Sequence, residues 1–426
     1  MNNIRVVITG LGVCAPNGTT IPDFTHAIKN GISGIRHQPN LATLAFSCQI
    51  AGKPMLDAER IADYFTPLEI RNLDSSGIVY GVIAASDAWK DAGLEKSSKE
   101  TPDWDSGTIF GTGTSGIDKF RWAINKIDNL ELRKLGSTSV VQTMASGISA
   151  FISGKLGLGN QISTNSSACA TGAESLLLAY ERIKAGKAVR MLAGSTSDSG
   201  PYIWAGFDAM KVCTIKHNED PEKGSRPMSA TASGFVPGSG AGAMVLESLE
   251  SALARNAKIY GEVLGGNLNS GGQRGLGSMT APNPQAVQKC ITNALADANI
   301  KPEQVDVING HLTATSKDAL EIENWKTALG SSAENFPLIN SLKGMIGHCI
   351  AASGSIECVA AVLQLAENFV FPNINCEDLH PDITDLIDSK CIPQKLINKE
   401  FDILAKASFG FGDVNACVIL KKYKHE

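Results

Sequence analysis

The chain has 426 residues, 43% hydrophobic and 19% charged, with a net charge of −5. This is an ordinary globular composition, long enough for two or three average domains or one large pseudo-symmetric unit. The mild acidity argues against a nucleic-acid binder, which carries a basic excess or stripe. Ten cysteines are scattered with no CxxC pair, which argues against zinc of the common spacing, and a chain this long needs no disulfide framework.

In chain order, a β-branched run at 5–9 enters a strand at once. No secretory leader and no apolar run long enough to span a bilayer is read, so a cytoplasmic enzyme without a membrane partner is expected. Gly10-Leu-Gly12-Val-Cys-Ala15 then reads GxGxxA. Pro16 interrupts it, and no acidic residue ends a second strand in 31–40, so it predicts a close-packing turn instead of a dinucleotide loop. A helix is predicted over 75–92 and a strand over 106–111. Gly111-Thr-Gly-Thr-Ser-Gly116 follows and leads into a charged helical stretch, which again reads as a close-packing turn. Further strands are predicted over 189–193, 242–246, 259–264, 305–309 and 416–420. Further helices are predicted over 170–185, 284–298, 318–329 and 351–366. Buried strands interleaved with helices indicate an α/β layered fold. No Pro/Ser/Gly-rich linker divides the chain, and a faint echo links Cys169-Ala-Thr-Gly with His348-Cys-Ile-Ala as two helix openings.

The chemistry-bearing residues are few. Cys169 lies in Ser163-Thr-Asn-Ser-Ser-Ala-Cys169-Ala-Thr-Gly172 and opens a small-residue helix. A helix N-terminus favours the thiolate, so this thiol is expected to be activated, while the other nine read as small buried apolar residues. His311 projects from a strand end and His348 opens a helix. Lys343 is the lone charge in an otherwise uncharged run from 336 to 356, and a buried ammonium needs a partner. Ser408-Phe-Gly-Phe-Gly412 places Phe411 between two glycines. A nucleophile, two imidazoles and a glycine-built loop suit covalent acyl transfer.

These residues resemble the condensing enzymes of the thiolase superfamily, specifically type II β-ketoacyl-acyl-carrier-protein synthases, from Val6-Val-Ile-Thr-Gly-Leu-Gly12 to Gly412. The resemblance implies a five-layered α-β-α-β-α sandwich of two similar halves, 1–253 and 254–426. It implies that Cys169 carries the acyl chain, and that His311 and His348 donate hydrogen bonds to the malonyl thioester as carbon dioxide leaves. Lys343 would orient the imidazoles, with Glu357 nearby. Phe411 would gate the acyl pocket, with Asp413 beside it, and its N–H would complete an oxyanion hole with that of Cys169. Thr114 would line the acyl pocket near a dimer interface. Arg71, Arg133 and Lys134 would dock an acidic acyl carrier protein, whose phosphopantetheine carries the substrates with no further cofactor and no metal. A homodimer, or a heterodimer with a chain-length-factor-like sister, is implied.

The chain also departs from the family pattern. Leu312 and Ala314 replace a glycine and a serine after the first histidine, and Asp318 arrives one residue early. Asp413-Val-Asn415 closes the gating loop, and Ser or Ala fills four expected charged positions in the run after Arg226-Pro. These differences point toward the ketosynthase subunit of a specialised type II polyketide or polyene pathway. The alternatives are a housekeeping fatty-acid synthase of the same family and a thiolase-like coenzyme A enzyme. The thiolase reading is disfavoured because Cys417 sits inside the last strand. A non-catalytic chain-length factor is disfavoured by Cys169.

Overall fold

The computed structural model describes residues 4–98, 100–272 and 279–424. Its main sheet has ten strands: β1 (Val6–Cys14), β2 (Ser106–Thr112), β3 (Ile162–Ser163), β4 (Arg190–Ser197), β5 (Gly240–Ser248), β6 (Gly261–Ser270), β7 (Val307–Asn309), β8 (Leu338–Asn340), β9 (Ile403–Gly410) and β10 (Val414–Lys421). Across the sheet the order is β8-β7-β9-β10-β6-β1-β5-β4-β2-β3. Read outward from the middle, the first run is β1-β5-β4-β2-β3 and the second is β6-β10-β9-β7-β8, the same order shifted by five strands. Both runs pair antiparallel, antiparallel, parallel, parallel. They meet where β1 pairs antiparallel with β6 through Val6–Ile8.

The framing helices are α1 (Ser76–Asp91), α2 (Ile117–Asp128), α3 (Gly147–Leu156), α4 (Thr171–Lys184), α5 (Pro201–Ala209), α6 (Pro284–Asp297), α7 (Asp318–Leu329) and α8 (Ser353–Glu367). α1 and α3 cover the outer face of the first run, α6 with α7 packed on it covers the second, and α4 and α8 lie between the two runs. This is the expected α-β-α-β-α order. With both faces covered, β1 buries every residue, which is why it reads as one apolar run.

Two glycine-rich stretches differ from the turns expected of them. Gly10 and Gly12 lie inside β1, where a methyl group would overlap the carbonyl oxygens of Ala88 and Ala84. They let α1 lie directly on the strand, so close packing is right and the turn is not. Gly111 likewise ends inside β2, and only Gly116, at φ +61, turns the chain into α2.

The middle layer fixes the site. α4 and α8 cross where Gly172 has no room for a methyl group against Ser355 N and Gly354. Each helix is entered through a 3-10 turn, Ala168–Ala170 or Ile350–Ala352, whose first residue has positive φ, +48 at Ala168 and +51 at Ile350. Such angles are costly for residues with a Cβ and persist only where the surroundings enforce them. Turn for turn, Cys169 corresponds to Ala351. The echo in the sequence therefore mispaired Cys169 with His348, which lies three residues earlier. The run Ile350–Glu367 is long and apolar enough to cross a membrane, contrary to the sequence expectation, but it is this buried middle-layer segment.

Candidate active site

Cys169 sits in the 3-10 turn ahead of α4 and is 8% exposed. Burial pushes its thiol up to about 11. The Lys343 charge and the backbone N–H groups of Phe411 and of Cys169 itself pull the other way, toward the thiolate. The activated resting thiol expected from a helix N-terminus is therefore not what the structure shows, because desolvation outweighs the favourable dipoles.

His311 follows β7, and His348 leads into the turn before α8. Both are buried, with their rings 5.4 Å apart and nearly perpendicular. Ligand atoms of Cys169, His311 and His348 lie within 4.8 Å of one another. The His348 Nδ1 accepts from the Ile350 N–H at 2.9 Å and lies 3.1 Å from Ser353 Oγ. The His311 Nδ1 faces Lys343 Nζ at 3.4 Å, and that ammonium also donates to the His311 carbonyl at 2.6 Å. A donor at each Nδ1 leaves the proton of the neutral ring on Nε2. Burial first, then the Lys343 charge, holds both imidazoles well below the usual range, so both are neutral donors.

Lys343 pairs with Glu357, and both are fully buried. Sequence reasoning missed the third member of this group. Lys406 on β9 is equally buried and lies 2.9 Å from the other Glu357 oxygen. Glu357 Oε2 makes no hydrogen bond, and the Lys406 contact is an attraction of charges. A usable signal existed, since Lys406 is the lone charge between Phe401-Asp402 and Asp413, as Lys343 is in its own run.

The backbone that carries His311 is clamped from α7. Glu321 accepts the N–H groups of His311 and Leu312, both at 2.7 Å. Asp318 accepts those of Thr313 at 2.9 Å and Ala314 at 3.1 Å. Burial lifts Glu321 to about 7 against these two donors. The Asp-Ala-Leu-Glu spacing, noted in the sequence only as a displaced motif, therefore places two carboxylates one helical turn apart under the loop.

Above these groups lies a cavity of about 280 Å³ lined by Cys169, both histidines, Thr313, Thr315 and Phe411, among others. Phe411 lies 6.1 Å from Phe207 on α5, which stacks edge-on with Phe235, itself 5.2 Å from the His348 ring. A methyl group on Gly410 would crowd the Cys169 nitrogen at 3.0 Å, so the hairpin between β9 and β10 lies against the nucleophile's turn. A buried thiol and two imidazole donors open onto one apolar cavity.

Two family models match the chain, "Beta-ketoacyl synthase, N-terminal domain" over residues 3–252 and "Beta-ketoacyl synthase, C-terminal domain" over residues 260–377. The chain belongs to the β-ketoacyl synthase family. It is 33% identical to the 3-oxoacyl-[acyl-carrier-protein] synthase 2 of Vibrio harveyi, with 99% of each chain covered. The crystal structure of a β-ketoacyl synthase from Burkholderia phymatum STM815 superposes with a TM-score of 0.89 at 27% identity, covering 99% of this chain and 100% of that one. A type II polyketide synthase acyl-carrier protein in complex with its ketosynthase bound to the hexaketide gives 0.86 at 28% identity, covering 99% and 100%. The activity class is that of a condensing acyltransferase.

The other residues singled out in this synthase lie outside the cavity. Thr114 is exposed on the loop after β2, where Thr112 N–H bonds to Asn165 just past β3. Arg71, Arg133 and Lys134 are exposed, and Lys134 is already paired with Glu131 at 2.6 Å. Asp413 is buried and accepts the Asn283 N–H at 2.9 Å. It is not among the residues lining the cavity. It ties the hairpin that carries Phe411 to the 279–283 segment, whose Thr280 and Pro282 also line the cavity.

Proposed function

We propose that this chain extends an acyl group, held as a thioester on Cys169, by decarboxylative Claisen condensation with a malonyl unit on an acyl carrier protein. The convergence of Cys169, His311 and His348 within 4.8 Å carries this reading. In the first step Cys169 Sγ attacks the incoming thioester. The carbon–sulfur bond to phosphopantetheine breaks, and the Cys169 proton leaves with the displaced thiol. In the second step the malonyl carbon–carboxylate bond breaks and carbon dioxide departs. The electron pair moves onto the thioester oxygen, which the Nε2–H groups of His311 and His348 hold. In the third step the enolate carbon attacks the Cys169 thioester, whose oxygen is held by the Cys169 and Phe411 amides; collapse breaks the carbon–sulfur bond, releasing the β-ketoacyl product and the Cys169 thiolate, which takes a proton from solvent.

A Cys-His-His trio also has the spacing of a metal site. Two buried ammoniums against one carboxylate lie behind it, and that excess positive charge opposes a cation there.

The pathway we assign is a specialised type II polyketide or polyene one, in the cytoplasm, with the halves dividing near 253/254. Leu312, Ala314 and the Ser and Ala residues at four expected charged positions after Arg226-Pro support it. The housekeeping reading is favoured by the 33% identity to a synthase 2 over nearly the whole chain. Dimerisation, with itself or a sister chain, is supported by two features. The edge strand β3 bears exposed Ile162, and Phe120, Ile124 and Ile127 form an exposed apolar stripe on α2. The test is kcat/KM for malonyl transfer from a general fatty-acid carrier protein and from carrier proteins encoded beside the gene. Preference for the general carrier overturns the specialised assignment.

A further inference from the structure

The roles of Lys343 and the imidazoles leave one buried charge unexplained. Lys406 is 0% exposed, and its Nζ donates to the Ala407 carbonyl and to Ser408 Oγ at 3.1 Å. It faces Glu357 Oε2 at 2.9 Å while Lys343 holds Glu357 Oε1. One ion pair would satisfy Glu357 and leave the group neutral. The second ammonium gives this trio one surplus positive charge, which the nearby Glu321 carboxyl, lifted to about 7 by burial, offsets only in part. Burying such a charge is costly unless something nearby uses it.

The surplus lies behind the imidazole donors that face the developing enolate. Lys343 touches both the Nδ1 and the carbonyl of His311. Lys406 pairs in register with Asn309, two residues ahead of His311, and its own strand runs on to Phe409 and Gly410. The charges of Lys343 and Lys406 both act on the two imidazoles. A fixed cation behind a hydrogen-bond donor strengthens that donor toward an anion, and in a dry site it does so without reorganisation.

We propose that Lys406 is a positioning residue for condensation: with Lys343 across Glu357, it gives the buried group behind His311 and His348 the net positive charge that stabilises the enolate held by their Nε2–H groups. This inference rests on the assignment of the two histidines to enolate stabilisation.

The test uses the full chain, with acyl loading read by intact mass and carbon dioxide release measured from malonyl carrier protein. Lys406→Met is expected to load Cys169 at nearly the parent rate. Its kcat for carbon dioxide release should fall roughly 10- to 100-fold, with KM little changed. Lys406→Met/Glu357→Gln removes one charge of each sign, restores the surplus on Lys343, and should recover part of the loss. A purely structural role predicts the opposite, with the double variant worse than the single and loading impaired as much as release. Carbon dioxide release by Lys406→Met within about twofold of the parent overturns the proposal. If Lys406→Met does not fold, a double variant that folds yet releases carbon dioxide as slowly as His311→Ala overturns it as well. Full release by both His311→Ala and His348→Ala would instead remove the underlying histidine assignment.

Discussion

At the scale of single residues, the site is a contest between burial and dipoles, and burial decides the resting state. The Cys169 thiol is pushed up to about 11. Raising pH toward that value generates thiolate, so alkylation of Cys169 by iodoacetamide should climb steadily from pH 7 to pH 10. A rate that levels off below pH 8 would show an activated resting thiolate and contradict the structure. The imidazoles behave differently, because both are held neutral with Nε2–H donors free for substrate. His311→Ala and His348→Ala should each still load acyl groups onto Cys169 yet lose condensation by roughly 100-fold, the usual loss for one oxyanion donor. Unimpaired condensation in either variant removes that histidine from the mechanism.

At the scale of elements, backbone geometry does most of the positioning. α7 holds the His311 loop through Glu321, and removing that carboxylate strands two buried N–H groups. Glu321→Ala should therefore destabilise the protein by about 2 kcal/mol or more and slow condensation, with Glu321→Gln in between, as read by thermal unfolding and turnover. Equal stability of Glu321→Ala and the parent would show that the loop is held by other contacts. The crossing of α4 and α8 is stricter still. Gly172→Ala places a methyl group on the Ser355 nitrogen and should give little or no soluble protein. The sequence showed much of this layer. The helix over 318–329 matches α7, and Cys169, His311, Lys343 and His348 were all singled out and all converge. What it hid has physical causes. β3 and β8 span two and three residues, too short for a periodic signal. β9 was missed because its lone lysine breaks the apolar pattern, although that lysine is buried against Glu357. Gly10 and Gly12 looked like a turn because glycine serves close packing as well as tight turning.

At the scale of the whole molecule, two matching five-strand runs bring residues from opposite ends of the chain to one cavity. Cys169 comes from the first run's side of the middle layer. The histidines, both lysines and the hairpin that carries Phe411 come from the second. The surface should then divide between partners, with the β3 edge and α2 face meeting another subunit and the Arg133–Lys134 turn meeting a carrier protein. Charge reversal at Arg133 and Lys134 should raise KM for carrier-bound substrate and flatten its salt dependence, with kcat nearly intact. An unchanged KM at low and moderate salt would move the docking site elsewhere. The most direct test of the central claim is a two-stage mass measurement. The protein is charged with an acyl carrier protein, the adduct is mapped, and malonyl carrier protein is then added. The predicted result is one acyl adduct on Cys169, absent from Cys169→Ala, that disappears as carbon dioxide and a β-ketoacyl carrier protein form together. An adduct on another cysteine, or condensation by Cys169→Ala, would contradict it.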